Sequence, residues 1–66
     1  MKYRVRGDIT TRNLELLCKS ISTRHEVWWF IADSAIYIEF VDEPQVVDDD
    51  YINSEAQKQG VSLIAE

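Results

Sequence analysis

One cysteine, one proline, one histidine and two glycines are all that this 66-residue chain carries of the residues that staple, kink, ligate or loosen a fold. The lone Cys18 excludes an internal disulfide, so a small fold must hold without that staple, and a reducing cytoplasm is the expected compartment. No apolar run approaches the roughly 20 residues that cross a bilayer, so no membrane span is expected. The opening residues, Met1 to Arg6, lack the apolar stretch of a secretory signal. With 66 residues the chain is read as one domain over 1–66, burying only about 60% of the surface its unfolded form exposes. Hydrophobic residues at 45% and charged residues at 29% are globular proportions and set aside disorder and fibres.

Positive charge is also scarce, and unevenly so. The net charge is −5. Residues 1–25 carry six bases against two acids, or +4, whereas residues 26–66 carry ten acids against Lys58 alone, or −9. Between residues 39 and 55 stand seven acids (Glu39, Asp42, Glu43, Asp48, Asp49, Asp50 and Glu55) and no base. An acidic total argues against tight binding to duplex DNA, where phosphate neutralisation supplies most of the affinity. It fits a solvated face that keeps the protein soluble, or a surface that meets a basic partner.

Periodicity outlines six elements. Residues 2–6 alternate, with Tyr3 and Val5 on one side and Lys2, Arg4 and Arg6 on the other, which is the pattern of a half-buried strand. Gly7 and Asp8 break it. Thr10 or Thr11 can then cap a helix, and Leu14, Leu17, Cys18 and Ile21 form one apolar stripe over about three turns. Residues 26–32 are too rich in aromatic and β-branched side chains to be anything but a strand, and 35–41 follows as a second. With Asp33 and Ser34 as the loop, Ile31 faces Ile36, Trp29 faces Ile38 and Val27 faces Phe40 on one side. Phe30 then faces Tyr37, and Trp28 faces Glu39, on the other. A one-residue slip would mix the two sets, so the pattern itself selects this register. Asp-Ser is a weaker turn signal than Asn-Gly, which leaves room for a longer loop.

Pro44 ends that strand, because proline lacks the ladder donor. Asp48, Asp49 and Asp50 suit the positive end of a second helix, Lys58 its negative end, and Gly60 the residue after its cap. Val47, Tyr51, Ile52 and Ala56 give that helix only a thin apolar stripe, and an irregular acidic loop is the competing reading. Residues 61–65 read as a last strand. The order β-α-β-β-α-β predicts an α+β fold of the ferredoxin-like kind, a four-stranded antiparallel sheet with both helices on one face.

Motifs for catalysis are lacking. His25 and Cys18 stand seven residues apart without further ligands, and Cys18 belongs to the apolar stripe. The three consecutive aspartates lack the alternating spacing and distal glutamate of a calcium loop. The expectation is therefore no catalytic residue, no cofactor and no metal. The functional signal lies instead on the sheet face turned from the helices, which is expected to carry Trp28, Phe30, Tyr37 and Val41 beside Lys2, Arg4 and Arg6. Large exposed aromatics supply much contact area at low entropic cost.

The expected function is that of a non-enzymatic, cytoplasmic interaction protein, a homodimer or a small regulator or inhibitor. It would dock a protein partner through Trp28, Phe30 and Tyr37 and present Asp42, Glu43, Asp48, Asp49 and Asp50 to a basic or nucleic-acid-binding protein. Small inhibitors of host factors encoded by phages or mobile elements offer an analogy of size and charge. Single-stranded nucleic-acid binding by a stacking sheet is the alternative, opposed by Glu39 and the net charge. A small-ligand regulatory domain acting as a dimer is another.

Overall fold

The structure, a computed structural model, describes residues 1–42 and 48–66. Its elements run β1 (Lys2–Arg6), α1 (Thr11–Ile21), β2 (Val27–Ala32), β3 (Ala35–Phe40), α2 (Asp49–Lys58) and β4 (Ser62–Ala65). The strands form one antiparallel sheet in the order β2-β3-β1-β4. The layout is the ferredoxin-like βαββαβ arrangement that the order of elements predicts.

Local chemistry accounts for each boundary. Thr10 caps α1, its hydroxyl accepting the Asn13 N–H at 3.1 Å. The four residues of the α1 stripe, Leu14, Leu17, Cys18 and Ile21, are all buried. The β2–β3 loop has two residues, and Asp33 and Ser34 both take positive φ, +50° and +62°. That is the primed turn whose twist matches the flanking strands, so the longer loop is not needed. The register follows as read from the pattern, with Val27 opposite Phe40, Trp29 opposite Ile38 and Phe30 opposite Tyr37. Helix α2 ends in a Schellman motif. The Gly60 N–H donates to the Gln57 carbonyl at 2.9 Å, and the Val61 N–H to that of Ala56 at 3.1 Å. Gly60 sits at φ +75°, where a glycine avoids the Cβ penalty. The acidic segment is thus helical from Asp49 onward, and the loop reading of it is overturned there. Pro44 and Val47 lie outside the described residues.

The core lies between the sheet and the two helices. Tyr3, Val5, Ile38, Phe40 and Leu63 pack from the strands against the α1 stripe and against Ile52 and Ala56 of α2. Tyr51 ties the helices together. Its hydroxyl donates to the Ser20 carbonyl at 2.7 Å, and the Arg24 guanidinium stacks 3.9 Å from its ring centroid. One strand expectation needs correction. The alternation puts Ile31 on the side turned to the helices, where cover is expected, yet it is 64% exposed, while Val27, Trp29 and Ile36 are only half-buried. The helices close over the half of the hairpin near Phe40 and stop short of its tip.

Candidate functional site

The open face of the sheet is built by the parity of its strands. Each residue that alternates with a core residue points away from the helices, which sends Lys2, Arg4 and Arg6 of β1 to that side. Trp28 and Phe30 of β2, Tyr37 and Glu39 of β3, and Ser62 and Ile64 of β4 join them. Register then sets the aromatics in a row. Trp28 and Phe30 have ring centroids 6.1 Å apart, and Phe30 stacks on Tyr37 at 5.3 Å with an interplanar angle of 20°. The Lys2 ammonium caps the row, 4.8 Å from the Tyr37 centroid. Trp28 is 59% exposed, Phe30 and Tyr37 half-buried. The three aromatic residues expected at the site are therefore brought into one continuous strip, with Trp28 as its open end.

Two carboxylates interrupt the basic border of this face. Glu39 lies beside Trp28 and Lys2 in the ladder, its Oε2 3.9 Å from the Met1 amino group. Arg4 Nε stands 3.8 Å from Glu66 Oε1. The face is thus aromatic and mixed in charge rather than uniformly basic.

The acidic residues separate into two groups. Asp42, Asp49 and Asp50 are exposed, the latter two in the first turn of α2, where the helix dipole favours them. Asp48 departs from the expectation. It is half-buried, and its Oδ2 lies 3.1 Å from His25 Nε2, with the His25 ring edge-on to Phe40 at 5.7 Å. Asp48 thus joins the α2 entry to the α1–β2 junction and is withdrawn from any charged surface. Sequence spacing held no signal for this pair, because 23 positions separate partners that only the fold brings together. Glu43 lies outside the described residues. Asp49 and Asp50 lie on α2, on the helix side of the sheet, whereas Trp28 and Asp42 share one end of it. The chain leaves β3 there, through Val41, whose N–H donates to the Glu26 carbonyl at 3.0 Å, and into Asp42.

Other chemistry is sparse. Among the described residues no three His, Cys, Asp or Glu side chains gather as metal ligands, and no helix is long and apolar enough to cross a membrane. Burial pushes the Cys18 thiol up to about 11, away from a reactive thiolate. A cavity of about 250 Å³ opens on the helix side among Met1, Tyr3, Asp49, Ile52, Asn53 and Leu63, apart from the aromatic strip. No protein-family model, curated protein or solved structure matches the chain.

Proposed function

We propose that the protein is a non-enzymatic interaction protein, a small regulator or inhibitor that docks a protein partner on its open sheet face. The observation that carries this reading is the strip Trp28–Phe30–Tyr37, unbroken and ending in a tryptophan that is mostly in solvent. Cross-strand stacking of Phe30 on Tyr37 stabilises a hairpin by roughly 0.2–1 kcal/mol, which is reason enough for that pair. It gives no reason to leave Trp28 in water, whereas an anchor for a partner's pocket does. Asp42 follows β3 at the Trp28 end of the sheet, so the partner's complementary patch is basic there.

A second reading has one observation in its favour. Lys2, Arg4 and Arg6 border the aromatic strip, as cations border the stacking platforms that hold single-stranded nucleic acid. Glu39 on the same face and the net charge of −5 weigh against it.

The test is Trp28→Ser, made in a residue whose exposure keeps its loss from disturbing the core. A partner captured by the native chain and then purified should bind the variant at least about tenfold more weakly, a loss of ~1.4 kcal/mol or more. The unfolding midpoint should stay within about 1 kcal/mol of the native value. Equal binding by the variant would remove Trp28 from the interface. Stronger retention of single-stranded oligonucleotide than of any protein, abolished by Arg4→Ala with Arg6→Ala, would favour the second reading.

A further inference from the structure

We propose that two copies of this chain join edge to edge through β2, antiparallel and centred on Trp29, making one sheet that runs across both. The proposal stands independently of the partner bound on the open face.

Strand β2 is an outer strand of the sheet, and it is unguarded. Its six residues, Val-Trp-Trp-Phe-Ile-Ala, hold no charge and no proline, although outer strands are ordinarily protected by such residues. Among the described residues no backbone pairs with its outer side, and the phase of the groups there is set by the hairpin. The Val41 N–H donates to the Glu26 carbonyl, so Glu26 belongs to a hydrogen-bonded pair, as Trp28, Phe30 and Ala32 then do by alternation along the ladder. The N–H and C=O groups of Val27, Trp29 and Ile31 therefore point outward.

A second copy answers those groups better than an arbitrary strand does, because the segment is its own complement. Reflected about Trp29, the order Val27, Trp28, Trp29, Phe30, Ile31 returns the same classes, aliphatic, aromatic, aromatic, aromatic, aliphatic. In that register Val27 pairs with the second copy's Ile31, and Trp29 with the second copy's Trp29. Each pair involves residues with outward-pointing groups and exchanges both backbone bonds. Trp28 falls opposite the second copy's Phe30 on the open face, extending the aromatic strip from one copy into the other. Centring on Phe30 instead would leave Val27 facing the turn residue Asp33 and lose part of the ladder. The Trp29 register also keeps acids apart, setting Glu26 against Ala32 and Asp33 against His25. It explains the feature the single chain leaves unaccounted for, an isoleucine at the hairpin tip that is 64% exposed.

The experiment is solution mass by light scattering through a dilution series, joined to amide hydrogen exchange, on the native chain and on Ile31→Lys. The native chain should show twice 7.7 kDa, with the amides of Val27, Trp29 and Ile31 protected alongside those of Trp28, Phe30 and Ala32. Ile31→Lys should halve the mass and free the amides of Val27 and Trp29 while those of Trp28 and Phe30 stay protected. Because that variant retains Trp28, Phe30 and Tyr37, it should still bind an open-face partner. A native chain that is monomeric throughout overturns the proposal. So does a dimer whose Val27, Trp29 and Ile31 amides exchange freely, since that pairing is face to face. Should Ile31→Lys fail to fold, the native exchange pattern decides alone.

Discussion

Trp28 and Trp29 are chemically identical neighbours on opposite sides of the sheet. Trp29 packs half-buried against the core, and Trp28 is mostly in water. The same alternation separates Ile38, fully buried, from Glu39 beside it. At this scale burial also sets chemistry. Cys18 sits in the α1 stripe at 8% exposure, and desolvation lifts its thiol from 9.0 to about 11. The folded chain therefore keeps that proton to higher pH than the unfolded chain does. Stability should fall as pH rises from about 9 to about 11, more steeply than in Cys18→Ala, when urea midpoints are followed against pH. A thiol dye at neutral pH should label the native chain far more slowly than the urea-unfolded chain. Labelling at equal rates would mean that Cys18 is open to solvent.

At the scale of elements, termini and turns carry much of the specification. The β2–β3 turn places two non-glycine residues in the left-handed region, and Ser34 at φ +62° has no side-chain hydrogen bond to the described residues to offset the strain. Ser34→Gly should stabilise the domain by about 0.5–1 kcal/mol in denaturant unfolding, the strain relief outweighing the entropy that glycine adds to the unfolded chain. Gly60 presents the opposite case. A Cβ there meets nothing within 4 Å, so Gly60→Ala should cost about 1 kcal/mol from backbone strain alone. Were Gly60→Ala neutral, the left-handed cap of α2 would be wrong. Lys58, paired with Glu55 at 2.6 Å, completes that helix end on its exposed face; the hydrogen bond its ammonium donates to the Glu55 carboxylate raises its pKa.

Across the whole molecule, charge and apolar surface are distributed to different ends and edges. The exposed acids Asp49 and Asp50 stand on the helix side, Asp42 follows β3 at the end where Trp28 opens to solvent, and the uncharged β2 edge runs from that end to the hairpin tip. Changing Asp42, Asp49 and Asp50 to Asn should slow association with a basic partner, with the largest effect at low salt, where screening is weakest. Rates that do not change with the substitutions, measured by stopped flow over a salt series, would remove the steering role of these acids. Self-association should respond oppositely. Each copy carries −5, so added salt should tighten a β2-paired dimer by screening the repulsion between copies.

The period-2 and helical patterns were enough to determine the four strands, the first helix, the register of the hairpin and the face on which Trp28, Phe30 and Tyr37 lie; the thin stripe of the second helix left it open to a loop reading until the structure decided it. Those properties depend on neighbours a few residues apart, where alternation and the 3.6-residue turn already dictate direction. Distances between remote segments were decided only by the tertiary structure. The contact of His25 with Asp48, the anchoring of Tyr51 on Ser20 and the withdrawal of Asp48 from the acidic surface all join residues more than 20 positions apart. The exposure of Ile31 is of the same kind. Its face is set by parity, but whether a helix reaches far enough to cover it depends on where α1 and α2 come to rest on the sheet, and they rest short of it.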